Sequence, residues 1–299
     1  MTKTMLDLLR TQGEKISEEG SRLLREFSRM HPVNRPGDSC VLISGSGDQF
    51  WDTLAPSGKR IQVSLLPEVD RFTGLVSVLT QNLPSGTKRN LLGSLKTIRS
   101  SIEQDDQTWW KTPEEAANGF RSLVGNIIDS IDDFFDSSSG ETFAIADTNA
   151  LIGNPDIEHW QFENVESFTL ILTPTILSEL EKHKINHQNP DVRGKATSII
   201  RKIKEYRRRG PLHNGVIVVR DKVKLQSIAN EPNMSQSFSW FDATNADDHF
   251  LASAIEIMCA EPGRKIFIVT ADINLQNKAE MACVPFREVP SASSSQEES

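Results

Sequence analysis

The chain has 299 residues, enough for two domains, and its 37% hydrophobic and 25% charged residues are an ordinary balance for a globular protein. Its formal net charge of −8 repels phosphate overall, so contact with nucleic acid requires a local basic patch. Cys40, Cys259 and Cys283 are scattered and odd in number, which argues against a disulfide framework. With no signal-type apolar segment at the start and no run of membrane-spanning length, the expectation is a cytoplasmic protein with no membrane partner.

The spacing of Met5, Leu8, Leu9, Ile16, Leu23, Leu24 and Phe27 predicts a helix over the first 30 residues or so. His31-Pro32 and Pro36-Gly37 break it. Cys40–Ile43 and the alternation of Ile61, Val63 and Leu65 read as short strands. Between them, Gly45-Ser46-Gly47-Asp48 is a turn rather than a phosphate loop, because it lacks a third glycine and a following Lys-Ser/Thr. Leu91, Leu92, Leu95, Ile98 and Ile102 keep helical spacing. Thr112-Pro113-Glu114-Glu115 is a capping box that opens an amphipathic helix carrying Phe120, Leu123, Val124, Ile127, Ile128, Ile131, Phe134 and Phe135. Trp109-Trp110 just before it reads as a hydrophobic anchor rather than a base-stacking pair. The predicted organisation is a mainly helical accessory domain over 1–136, a linker over 137–140, an α/β domain over 141–290 and a disordered tail over 291–299.

From residue 141 strands and helices alternate. Phe143–Ala146, Phe168–Leu172, Gly215–Val219 and Lys265–Val269 read as strands, with helices over Ile176–Lys184, Val192–Arg209, Asn245–Met258 and Asp272–Met281. Alternation of this kind implies a central parallel sheet covered by helices on both faces. Four acids stand at or soon after strand ends or at helix starts: Asp147, Glu179, the pair Asp247-Asp248, and Asp272. Ligands of open parallel sheets bind outside the carboxyl ends of the strands, which makes these acids candidate site residues. Each also has an ordinary explanation as a helix cap, a first-turn acid or a solvated helix face.

Together, Asp147-Thr148-Asn149, Leu177-Ser178-Glu179-Leu180, Asn245-Ala246-Asp247-Asp248-His249-Phe250-Leu251-Ala252 and Val269-Thr270-Ala271-Asp272 resemble a PIN domain, over roughly residues 141–290. The resemblance implies a three-layer α/β fold and a ribonuclease that depends on Mg²⁺ or Mn²⁺. It assigns the acids to Asp147, Glu179, Asp248 (with Asp247 the neighbouring option) and Asp272, the hydroxyl residue to Thr270, and a polar position near the first acid to Asn149. Gathered carboxylates repel one another and bind a hard divalent cation, which agrees with that assignment.

The cations Arg193, Lys195, Arg201, Lys202, Lys204, Arg207, Arg208 and Arg209 form the one conspicuous basic stretch and offer a path for a nucleic-acid backbone, against the plainer reading of a solvated helix. Tyr206 within it reads as core. Glu179, His183 and His187 have the spacing of a zinc face, but the helix ends there and no cysteine is near. The expected function is a metal-dependent endoribonuclease acting on single-stranded RNA. The alternatives are a non-cleaving RNA-binding or assembly module on the same scaffold, and an Asp-dependent phosphatase, whose second Asp is replaced by Asn149. The protein partner of the N-terminal half and a homo-oligomeric state stay open.

Overall fold

The computed structural model describes residues 4–32, 49–81, 83–105, 107–133, 141–261 and 263–290. The contacts divide the chain into two compact units, Leu6–Phe135 and a second made of Asp136–Ser299 with Met1–Met5. The expected strand at 40–43, the Gly45–Asp48 turn, Phe134, Phe135, the linker and the tail lie outside the described residues.

The first unit is mainly helical. It contains α1 (Met5–Arg22), a single π-helical turn (Leu23–Phe27), β1 (Met30–Pro32), β2 (Gln49–Trp51), α2 (Pro56–Leu79), α3 (Ser85–Glu103), β3 (Gln107–Thr108) and α4 (Pro113–Asp132). The three short strands form an antiparallel sheet in the order β1-β2-β3. The expected strand over Ile61–Leu65 is wrong: those residues lie inside α2. The alternation there is only five residues long. The buried set Leu65, Val69, Phe72, Val76 and Leu79 repeats at three- and four-residue steps, which is helical, and Val63 points to solvent.

The cap forms, with Thr112 Oγ1 accepting from the Glu115 N–H at 3.1 Å, and the Glu115 carboxylate accepts from the Lys111 N–H, one residue before the box position, at 3.0 Å. α4 buries Phe120, Val124, Ile127 and Ile131 along one stripe. Trp110 lies on α4 over Gly119, where an added Cβ would meet the indole at 2.1 Å, while Trp109 is exposed. Gly20 of α1 makes similar room for the Phe120 ring. Arg10 of α1 donates to Asp132 near the end of α4 at 2.8 Å.

The second unit is α/β. Its elements are β4 (Thr142–Ala146), α5 (Thr148–Gly153), β5 (Phe168–Leu172), α6 (Pro174–Asn186), α7 (Pro190–Arg207), β6 (Val216–Val219), β7 (Val223–Ser227), α8 (Ala246–Ala260), β8 (Lys265–Val269), α9 (Ile273–Met281) and β9 (Phe286–Arg287). They build a six-stranded sheet in the order β6-β7-β5-β4-β8-β9. All neighbours run parallel except β6, which pairs antiparallel with β7 at the edge. Every residue of β4 and β5 is buried, so the sheet is covered on both faces.

The strand expected at 215–219 is present as β6, but it lies at the edge and runs antiparallel, while β7, unexpected from the sequence, pairs parallel with β5. β7 is absent from the expected strands although Lys224 and Gln226 alternate with the buried Val223 and Leu225, which is a strand pattern. At the amino ends of the strands, Glu141 accepts from Arg264, Thr169 and Lys224 and ties β5, β7 and the approach to β8 together. The opposite, carboxyl edge is where the acids gather.

Candidate active site at the carboxyl edge of the sheet

Asp147 is the first residue past β4. Its N–H still donates to Val269 O at 3.0 Å, which continues the parallel pairing with β8 by one residue. Its side chain then turns back to cap α5, accepting from the Ala150 N–H, and its other oxygen accepts from Thr270 Oγ1. Both carboxylate oxygens are thus fixed, and the residue is 6% exposed. Thr270, fully buried past β8, accepts in turn from the Asp272 N–H at 3.0 Å. Asp272 caps α9 through one oxygen, which accepts from the N–H groups of Asn274 and Leu275. Glu179 lies in the second turn of α6, one helix beyond β5, and accepts from Thr148 Oγ1 at 2.5 Å. Thr148 was not singled out in the sequence. Its only signal is a hydroxyl next to the first acid. Asn149, the residue that was singled out, points to solvent from the first turn of α5.

The adjacent acids of α8 part company. Asn245 caps the helix, accepting from the N–H groups of both Asp247 and Asp248. Asp248 is 4% exposed, and its two oxygens accept from Lys278 Nζ at 2.7 Å and from the Asp242 N–H at 2.8 Å. Asp247 is half-exposed, with Lys278 3.9 Å away.

Electrostatics show which acids share a neighbourhood. Burial above all, then the charges of Asp272 and Glu179, holds the Asp147 carboxyl above its ordinary range, against the opposing pull of the Thr270 and Ala150 hydrogen bonds. Burial also raises Asp247. Lys278 opposes that rise, while Asp272, Glu179 and Asp248 reinforce it. The charges of Asp272 and Glu179 therefore reach both Asp147 and Asp247.

The rise at Asp147 has a signed consequence for stability. The folded state holds that proton more tightly than the unfolded chain does. Stability is therefore lost as the pH climbs from the ordinary aspartate range through the raised value. In EDTA, the melting temperature of Asp147→Asn minus that of the wild type should grow as the pH rises above the ordinary aspartate value of about 4. A difference that stays flat as the pH rises would mean that the carboxyl titrates as an ordinary aspartate.

All-oxygen donors of this kind suit a hard divalent cation. As the side chains stand, no group of three or more acids, histidines or cysteines among the described residues could hold a metal ion. Hydrogen bonds to Thr270, Ala150 and Thr148 already engage both oxygens of Asp147 and one of Glu179. The donor type suits such a cation, but the side chains as placed do not converge on one, and a coordinated ion would have to recruit oxygens that now accept from protein donors.

The basic stretch does not act as one surface. Lys202 is bound to Asp156 at 2.7 Å and Glu158 at 3.1 Å. Arg193 donates to the His187 and Gln188 carbonyls beyond the end of α6, and Arg209 lies over the Tyr206 ring and donates to Ile217 O. Tyr206 is buried, with its hydroxyl on Glu158. Lys204 and Arg207 border a cleft with Leu177 and Glu181 of α6. Residues two apart on a helix point about 160° away from each other, so this cleft faces away from Glu179. Lys195, Arg201 and Arg208 are exposed. His183 and His187 pack ring to ring, and the His187 Nδ1 accepts from the Asn189 N–H.

A mostly parallel sheet whose carboxyl edge gathers acids from β4, α6, α8 and the end of β8 defines a nuclease-type α/β domain. Residues 144–288 match the family model described as PIN domain, and the C-terminal half of the chain belongs to that family. PIN domains are typically nucleases and generally use divalent metals. No curated protein matches the chain. Among the described residues, no helix is long and apolar enough to cross a membrane.

Proposed function

We propose that the protein is a metal-dependent endoribonuclease that hydrolyses phosphodiester bonds of single-stranded RNA. The observation that carries this reading is the linkage at the carboxyl edge of the sheet, where Thr270 joins Asp147 to the Asp272 N–H and Thr148, next to Asp147, holds Glu179. Asp147, Glu179, Asp247 and Asp272 would hold Mg²⁺ or Mn²⁺. Asp247 takes the place expected for Asp248, whose oxygens are committed to Lys278 and the Asp242 N–H. When bound, the ion lowers the pKa of a water and neutralises charge on the phosphate.

The chain's own residues set the rest. Thr270 fixes the rotamer of Asp147 and, through the Asp272 N–H, the start of α9. Thr148 orients Glu179. Lys278 and Asp248 hold the first turn of α8 in place, so that Asp247 is presented outward. Asn149, exposed beside Asp147, would donate to a phosphate oxygen, and of the basic stretch the exposed Lys195, Arg201 and Arg208 would meet the backbone.

A second reading, a non-cleaving RNA-binding module, draws on the hydrogen bonds that already engage the oxygens of Asp147. One experiment separates the two. The full chain is incubated with end-labelled single-stranded RNA, with single-stranded DNA as a second arm, in millimolar Mn²⁺, Mg²⁺ or EDTA. Internal cleavage of RNA that appears with metal and disappears in EDTA is the expected result. RNA bound and intact in every buffer would leave the binding module.

A further inference from the structure

Between β7 and α8 the chain runs through residues 228–245, a long connection for a compact domain and of the length that more often carries function than merely closes a gap. It leaves from the carboxyl edge: the Ile228 N–H donates to Leu172 O at the end of β5. It returns at the first turn of α8, where the acids are. Its second half is aromatic. Phe238 and Trp240 stack at 5.8 Å with 23° between their planes, and Trp240 meets Phe241 edge-on at 4.5 Å. Phe238 and Phe241 are also edge to face, at 5.7 Å. Phe238 and Phe241 are only half-buried, and Trp240 is 42% exposed.

This turn is not loose. The Phe241 N–H donates to Phe238 O, and Asp242 Oδ1 accepts from both the N–H and the hydroxyl of Thr244. The Asp242 N–H donates to Asp248 Oδ2 at 2.8 Å, and His249 Nε2 bonds Ala243 O at 2.6 Å. The aromatic turn is thereby fastened to the helix that presents Asp247. Trp240 and Asp242 are two residue steps apart, about 7 Å at full stretch.

The geometry points to Phe238, Trp240 and Phe241 as a platform on which an unpaired base of the RNA stacks beside the acids of the carboxyl edge. The proposal rests on the nuclease reading above and adds its substrate subsite. An acidic surface repels phosphate but not the π-face of a base, so a pre-ordered aromatic surface is the kind of contact this edge can offer single-stranded nucleic acid. Stacking tolerates any base, and a base held in a duplex cannot reach the platform.

The test uses Trp240→Leu and Trp240→Phe in full chains that also carry Asp147→Asn, to prevent turnover. Leu keeps an apolar contact with Phe241 but has no π-face, whereas Phe keeps one. The probe is a short fluorescein-labelled oligoadenylate in Mn²⁺, read by anisotropy, with duplex RNA alongside. Trp240→Leu should weaken oligoadenylate binding by about 5- to 150-fold, Trp240→Phe should restore most of it, and duplex binding should not move. Unchanged affinity in Trp240→Leu overturns the platform and makes the patch a protein-facing surface. Cleavage of the same oligoadenylate by the otherwise wild-type chain keeps the two readings apart. Metal-dependent cleavage with an unchanged KM in Trp240→Leu removes only the platform. Neither binding nor cleavage of any single strand removes both.

Discussion

Asp147→Asn is expected to reduce metal-dependent RNA cleavage by more than about 100-fold, beyond the 10- to 100-fold that follows loss of a partner outside the coordination shell. Three features make this residue the strongest choice. It ends the central strand β4, it is buried, and its carboxyl already carries the repulsion of Asp272 and Glu179. Asn is nearly isosteric. Its carbonyl oxygen accepts the Ala150 N–H as the carboxylate does, and its amide can donate to Thr270, so the helix cap survives and the fold is retained. The removed charge is the part a divalent ion and an attacking water require. Thr270→Val is the graded comparison. It leaves the acid in place but frees its rotamer, so its loss should fall within the 10- to 100-fold range. The rate of cleavage of end-labelled RNA in Mn²⁺ measures both variants. An Asp147→Asn chain that cleaves at wild-type rate would move the reaction away from this edge of the sheet.

The sequence makes the two ends of this site legible for one reason. A buried parallel strand is apolar throughout, so the first acid after Phe143–Ala146 and the first after Lys265–Val269 mark where the chain leaves the core. Glu179 is legible only through the family pattern, because a Glu in the second turn of a helix is ordinary in itself. Asp247 and Asp248 are harder. Residues adjacent on a helix differ by about 100°, and the choice between them depends on which face of α8 is core. Asp248 lies three and seven residues before the buried Leu251 and Ile255, a face signal that exists in the sequence. It is weak because α8 is buried on nearly every side. What settles the orientation comes from elsewhere in the chain: Lys278 on α9, thirty residues away, and the backbone of Asp242. Neither leaves a local mark. Short alternations mislead in both directions: the one over Val223–Gln226 is a strand missing from the expected set, and the one over Ile61–Leu65 lies within a longer helical repeat.

The neighbouring acids of α8 should respond in opposite ways to the same chemical change, and melting curves read the difference without any RNA. Asp247 shares the field of Asp272 and Glu179, so in EDTA its charge opposes folding. Asp247→Asn should raise the melting temperature in EDTA. In millimolar Mn²⁺ it should lose most of the stabilisation that the ion gives the wild type, about 2.7 kcal/mol at a hundredfold excess over the dissociation constant. Loss of a first-turn acid works against the gain in EDTA by only about 0.3–1 kcal/mol. Asp248 is buried between Lys278 and the Asp242 N–H. Asp248→Asn takes the nearer counter-charge from the Lys278 ammonium and leaves Asp247 at 3.9 Å, at a cost of about 1–3 kcal/mol. At about 2–4 °C per kcal/mol for a domain of this size, that is a visible fall in melting temperature. The fall should be nearly the same in EDTA and in Mn²⁺, because Asp248 acts on the helix start and not on the ion. If Asp248→Asn instead stabilises the protein in EDTA and cancels the Mn²⁺ effect, Asp248 is the ligand. Lys278 would then be the group that vacates the site when metal arrives.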